Sequence, residues 1–423
     1  MTRSAELFAE ARRVLPGGVN SPVRAMRSIG RDPIFIAAGR GARIADVDGR
    51  EYVDWVSSWG PLILGHAHPA VVEAIMTAAK RGTTFGAPIE NEVKLAAEIS
   101  ARVPSVEMSR MTSSGTEAAM SAIRLARAAT GREPVLKFAG AYHGHVDGLL
   151  AQAGSGLATQ GIPASLGVPA AAASATVIVP WNDPEALIAA TDRHEFAALL
   201  AEPVPANMGV VPPAPGFLEL LRDRASATGA LLVFDEVITG FRVARGGAQE
   251  RYAVTPDISI LGKVIGGGLP AAAYGGARSL MERIAPAGDV YQAGTLSGNP
   301  LAVAAALATL AELDANAYEQ LERVSAALAA GLRDAAASAG YPLEVQSVPG
   351  LLTPFFSREP VRDYAGAAAS DLDAYGAWCR ALLERGVYPP PSQFEAWFPS
   401  LAHSEADVER TVKAAAEAFE EIA

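Results

Sequence analysis

From about Pro69 the hydrophobic positions repeat in a simple way: helical stretches alternate with short apolar runs, PVLKF at 134–138, ALLAEPV at 198–204, LLVFDEV at 231–237 and ISILGK at 258–263. Such runs set between helices predict an α/β fold with a mainly parallel sheet covered by helices. In sheets of this kind ligands sit beyond the carboxyl ends of the strands. Glu202, Asp235 and Lys263 all fall at those ends.

Outside this region the pattern is different. Ser4 to Val14 predicts an amphipathic helix capped by Ser4 and stopped by Pro16-Gly17-Gly18. Asp48-Gly49 predicts a hairpin turn between the runs 42–45 and 52–54. Asn299-Pro300 predicts the capped start of an Ala-rich helix. Beyond about Ala315 a helix, short strands within 343–356, a helix near 372–385 and a closing helix from Glu405 predict a smaller α+β lobe. The expected division is an N-terminal segment over 1–68 that packs with the small lobe and a dimer partner, a large domain over 69–314, and a small domain over 315–423. Gly154 to Ala173 is rich in small residues and proline without a period, and reads as a lid within the large domain.

Composition narrows the function classes. Among 423 residues, 35 basic side chains stand against 46 acidic ones, a net charge of −11 with no Lys/Arg-rich stripe, which argues against nucleic-acid binding. Cys379 is the single cysteine, so intrachain disulfides and Cys-rich zinc sites are excluded. The amino terminus, MTRSAELFAEARRVLPGG, has no apolar core of signal-peptide length, and the uncharged stretch 148–182 is broken by Gly, Pro and Ser. The expectation is a cytoplasmic protein without membrane contact.

Four features carry candidate chemistry. Lys263 follows an apolar run and precedes Gly266-Gly267-Gly268. Desolvation disfavours its ammonium form, a neutral amine attacks aldehydes, and the glycines leave room for a flat cofactor. The competing reading is a lysine that reaches solvent ahead of a Gly-rich turn. Asp235 ends a hydrophobic strand, where a buried carboxylate can hold a proton on a pyridine nitrogen; Glu236 points to the other face. Thr112 to Thr116 open a helix expected over 117–130, and free N–H groups with a close-approach glycine there suit a phosphate, although a simple cap uses the same residue types. Tyr142-His143 offers an aromatic platform for a flat ring. His66, His68, His143 and His145 lack any third-ligand motif, so no metal is expected. No GxxxxGK[ST] loop is present, which excludes a P-loop nucleotidase. A lysine amine, an acid, a phosphate-type helix start and an aromatic neighbour together match pyridoxal phosphate.

Through SSGTEA, AYHG, FDEVITGFR and LGKVIGGGLP the chain resembles the fold-type-I, class-III pyridoxal-phosphate enzymes. Within them LPGGVNSPVRA, DWVSSWGPLILGHAHP, GSGLATQGIPASLGVP, AGTLSGNPLA and PSQFEAWF are most similar to the aminomutase branch, an isomerase group that moves an amino group within one five-carbon molecule. The resemblance spans nearly the whole chain and implies conversion of glutamate 1-semialdehyde to 5-aminolevulinate for tetrapyrrole (porphyrin) synthesis. It further implies a cofactor that alternates between pyridoxal and pyridoxamine 5′-phosphate, a homodimer, and hand-over of substrate from the enzyme that makes it.

Residue by residue, the resemblance implies that Lys263 bonds to the cofactor and moves protons, while Asp235 pairs with the ring nitrogen. Ser114, Gly115 and Thr116 would hold the phosphate, joined by Thr295 from the partner subunit. Tyr142, His143 and Asn207 would neighbour the ring, and Ser21, Arg24, Trp59, Ser155 and Glu395 would face the substrate. Arg24 suits the substrate carboxylate through its planar fork. The segment around Glu395 offers an acid and no arginine, unlike aminotransferases that bind a second carboxylate. Trp397 departs from the glycine expected in this family and is expected to narrow the pocket. Two alternatives remain: an intermolecular ω-aminotransferase of the same fold, and a non-catalytic carrier of pyridoxal phosphate.

Overall fold

The structure is a computed structural model that describes residues 2–151 and 165–422. Near the amino terminus three strands, β1 (Ile36–Arg40), β2 (Arg43–Asp46) and β3 (Glu51–Asp54), form an antiparallel meander. The turn between β2 and β3 carries Gly49 at φ +86°, and Asp46 accepts hydrogen bonds from the Asp48 and Arg50 amides to close it. The preceding helix, Arg3–Ala11, is capped by Thr2 and not by Ser4. The Ser4 hydroxyl instead accepts a bond from the Phe35 amide, tying the helix to the meander.

Seven strands make the central sheet: β4 (Met108–Thr112), β5 (Val135–Phe138), β6 (Thr176–Val179), β7 (Ala198–Ala201), β8 (Leu231–Glu236), β9 (Ile258–Leu261) and β10 (Ala272–Gly276). Their order is β4-β10-β9-β8-β7-β5-β6, and only β10 runs against its neighbours. Both faces are buried, which explains why the strands read as continuous apolar runs. Leu199, Leu232 and Phe234 pack with Trp181 and Phe217 on one face. Ala198, Leu200 and Val233 pack on the other against Ala118, Ala122 and Leu125 of the helix Gly115–Thr130.

The C-terminal part holds the hairpin β11 (Glu344–Val348) and β12 (Leu351–Phe355), a short strand β13 (Val387–Tyr388), and the helices Ala315–Ser338, Leu372–Glu384 and Glu405–Ile422. β13 adds in parallel to β3, so the N-terminal meander and this lobe share one sheet. They also share one core, in which Met26, Tyr52, Val53 and Trp55 pack with Leu328, Leu332, Trp378, Trp397 and Phe419. No helix among the described residues is long and apolar enough to cross a membrane.

Candidate active site

The site begins at the carboxyl ends of β7, β8 and β9. Asp235, in the last turn of β8, accepts the Val237 amide at 3.1 Å on one oxygen and faces His143 Nδ1 at 2.8 Å with the other. An ionised carboxylate only accepts, so His143 donates from Nδ1, and its Nε2 is buried without a partner. Glu236 lies on the opposite face, as strand alternation requires. It is buried and accepts bonds from Thr239, the Ala248 amide and Gln249, so its role is to fix the following loop.

Glu202, just past β7, is buried beside this pair. Its Oε1 accepts from the Tyr142 amide at 2.8 Å, and its Oε2 accepts from the Ala206 amide at 3.2 Å and the Asn207 side chain at 2.8 Å. Burial raises its carboxyl above the usual range, against the pull of His143.

Lys263 follows the carboxyl end of β9 by two residues and opens a single tight turn, Lys263–Gly266, with φ +47°. A positive φ is uncommon for a residue with a side chain and marks local backbone strain. The surrounding protein pushes that amine down from its ordinary pKa, opposed by the carboxylates of Glu395, Glu202 and Asp235 and assisted by Arg242. Three acids therefore face one lysine. The glycines that follow do not form a cofactor cleft: a Cβ on Gly267 would meet Thr309 and Ala305 at 2.6–2.7 Å, and one on Gly268 would meet Leu62. Gly267 lets the chain pack on the helix Pro300–Ala311.

The phosphate-type helix starts at Gly115, two residues earlier than the sequence suggested. Ser114 is its cap and accepts from the Glu117 amide, so that hydroxyl serves the helix itself. Gly115 and Gly262 face the same side chain: a Cβ on either would lie about 3 Å from Val237. Gly144 is pressed on Thr116, where a Cβ would lie 2.5 Å from Oγ1, and His145 Nδ1 lies 3.2 Å from that hydroxyl. The loop carrying Tyr142 and His143 is thereby locked to the helix start. Tyr142 keeps about a third of its surface open, at 37%, and its phenol pKa is raised by burial and by Asp235 and Glu395.

On the other side of Lys263 the N-terminal segment closes in. Ser57, Ser58 and Trp59 all have positive φ, followed by Gly60 at φ +111°. Asp54 holds this turn by accepting the Val56 and Ser57 amides, and His66 Nε2 lies 2.7 Å from the same carboxylate. Arg24 and Trp59 line one cavity of about 520 Å³ with Asp54, His66 and Tyr388. Ser21 lines a neighbouring surface pocket between Pro16 and Arg27.

Thr295 lies away from Lys263, beside Phe85, Pro88 and Ser297. Ser155, and the part of the expected lid from 154 to 164, lie outside the described residues. Trp397 corrects an expectation: it is fully buried, stacks on Trp378 at 5.8 Å and pairs by its backbone with Leu352, so it fills the small-lobe core and does not narrow the pocket. The sequence reading gave no role to Arg242, a buried guanidinium that donates to the carbonyls of Gly60, Gly350 and Pro399 and stands over Phe398. A lone arginine closing the apolar-flanked run VITGFR was the available signal.

These residues fit pyridoxal phosphate. An acid with an orienting histidine, an amine whose pKa is lowered by burial and opposed by that acid, a helix start that shares Val237 with Gly262, and a half-open tyrosine are brought together, and His143 Nε2 is buried without a partner.

The class-III aminotransferase family pattern matches residues 26–416. A protein of Roseiflexus castenholzii named glutamate-1-semialdehyde 2,1-aminomutase is 59% identical over 99% of this chain and 98% of its own length. Among solved structures, an omega-transaminase from Sphaerobacter thermophilus superposes with a TM-score of 0.93 at 35% identity, covering 100% of this chain and 98% of that one. A glutamate-1-semialdehyde-aminomutase from Pseudomonas aeruginosa in complex with PMP gives 0.88 at 30% identity, covering 100% and 95%. The chain belongs to the class-III aminotransferases, the pyridoxal-phosphate enzymes of fold type I, and within them to the glutamate-1-semialdehyde 2,1-aminomutases.

Proposed function

We propose that this protein converts glutamate 1-semialdehyde to 5-aminolevulinate by moving an amino group within the molecule, a step of tetrapyrrole synthesis. The observation that carries this is the 59% identity along nearly the whole chain to a protein of that name. The acid-lined surroundings of Lys263 support it, since Glu395 offers an anion where a substrate with an amine at one end would lie.

When bound, the cofactor supplies an electron sink and a carrier for the amino group. The rest belongs to the chain. Gly115 and Thr116, at the start of their helix, would hold the phosphate through free amides and the helix dipole. Asp235 would keep a proton on the ring nitrogen, with His143 fixing its orientation. Tyr142 and Asn207 would flank the ring. The Lys263 amine, its pKa lowered by burial, would take a proton from one substrate carbon and return it to the other. Arg24 would hold the substrate carboxylate, with Trp59 excluding water.

The same reading includes a homodimer in the cytoplasm, with 69–314 as the cofactor domain and 315–423 as the small domain. Thr295 would reach the partner's phosphate site. Its neighbours support this: Tyr291, Leu296 and Phe85 are large apolar side chains left 52–70% exposed. Sedimentation at micromolar concentration should give a dimer.

The deciding experiment mixes purified protein with glutamate 1-semialdehyde and no amino donor or keto acid, and follows 5-aminolevulinate. Formation beyond one equivalent of enzyme is expected. A requirement for an added donor and acceptor would make the protein an ω-aminotransferase, a reading favoured by the close superposition on such an enzyme. Cofactor absorbance without amine exchange would make it a carrier.

A further inference from the structure

The Glu202 carboxylate bonds to both loops that flank Asp235 on the β5 and β7 side. Through Oε1 it takes the Tyr142 amide, in the loop after β5; through Oε2 it takes the Asn207 side chain and the Ala206 amide, in the loop after β7. All three go to one carboxyl group, and when it is ionised such bonds are shorter and stronger than bonds between neutral groups. The side chain is 3% exposed and Asn207 9%, so water does not substitute for either partner. We infer that Glu202 is a positioning residue for the reaction: one buried carboxylate that fixes Tyr142 and Asn207 relative to each other across the cofactor site. This rests on the reading that Tyr142 and Asn207 face the cofactor.

The cost of burying this charge argues for such a role. A carboxylate whose only task was to close a loop would be cheaper as a neutral amide or hydroxyl. The charges that act on Glu202 come from four places: Lys137 on β5, His143 in the loop after it, Asp235 on β8 and Lys263 after β9. Lys137 is itself buried, donates to the Leu149 carbonyl at 2.9 Å, and is brought to about 8 by burial, with Glu202 opposing the shift. Glu202 thus lies between two lysines whose amines lack full solvation.

The test measures dissociation of pyridoxamine phosphate and the visible circular dichroism of the bound aldehyde form, so it does not depend on turnover. Asn207→Ala in otherwise wild-type protein must weaken cofactor binding; if it does not, the site reading fails before Glu202 is considered. Glu202→Gln keeps the shape and removes the acceptor charge. It should weaken binding about ten- to a hundredfold and alter the dichroism, with the melting temperature little changed. The double variant Glu202→Gln/Asn207→Ala should lose less than the sum of the two single losses, because the two side chains share one contact. Wild-type affinity and dichroism in Glu202→Gln, or additive losses in the double variant, would overturn the inference. If Glu202→Gln does not fold, Asn207→Asp decides: two carboxylates at this distance repel once both ionise. Its cofactor affinity should fall as pH rises while that of Asn207→Ala does not, and parallel pH profiles would overturn the inference.

Discussion

Gly60 and Lys263 touch. A Cβ placed on Gly60 would lie 3.2 Å from Lys263 Cδ and 2.9 Å from the Phe398 ring. The N-terminal turn thus forms a wall of the lysine channel, although the two residues are far apart in the chain. Gly60→Ala meets this wall and also a φ of +111° that residues with a Cβ rarely adopt. We expect a loss of about 1–3 kcal/mol in stability, with slower formation of 5-aminolevulinate, read by chemical denaturation and a product assay.

Lys263→Ala removes the amine on which Glu395, Glu202 and Asp235 act and leaves the helix start, Asp235 and Tyr142 in place. Turnover should fall by about 10²–10⁴-fold or more, while pyridoxamine phosphate still binds. Near wild-type rates would remove Lys263 from the proposed proton path.

His143→Ala leaves Asp235 as a buried acid with one hydrogen-bond partner fewer. Losing a buried hydrogen bond to a charged group costs about 1.5–3 kcal/mol, and cofactor binding should weaken with it. Urea denaturation together with cofactor titration checks both losses.

Trp397→Ala should destabilise without altering substrate choice. The indole packs against Trp55 and Trp378 in the small-lobe core. Emptying that space costs about 3–5 kcal/mol, while the ratio of rates on glutamate 1-semialdehyde and on amino-acceptor pairs should stay as in wild type.

His403 sets an acid limit on stability. It is buried against Trp55, and burial lowers its pKa from 6.5 to about 4, with Asp54 and Asp407 opposing. The folded protein holds it neutral, whereas the unfolded chain protonates it first. Its contribution is therefore complete above pH 6.5 and is lost as pH falls toward 4. The loss amounts to about 3 kcal/mol at most. His403→Gln should flatten the denaturation midpoint between pH 4 and 6.5 relative to wild type.

The sequence was most informative where a feature is local. The apolar runs marked β5, β7, β8 and β9 because parallel strands buried on both faces show no polar interruption. Asp235 against Glu236 followed from alternation alone. What escaped depended on distant partners. The orientation of Trp397 is decided by Trp55 and Trp378, and the packing of Gly267 by a helix that begins at Pro300. Glu202 stood out as a strand-end acid, but its three partners become visible only once two loops are folded beside it. The positive φ of Lys263 has no sequence signature either, since glycine and asparagine are the usual occupants.

The pairing of β3 with β13 bears on the order in which the protein is made. Arg50 and Glu384, at the edges of that pairing, are 334 residues apart. On the ribosome the meander emerges early and has no lobe to join until almost the whole chain has been synthesised. Tyr52, Val53 and Trp55, all buried in the finished protein, remain uncovered throughout that interval. A nascent chain arrested before residue 380 should therefore expose an apolar, partly paired edge, and its capture by a chaperone that binds such edges should end when synthesis passes β13.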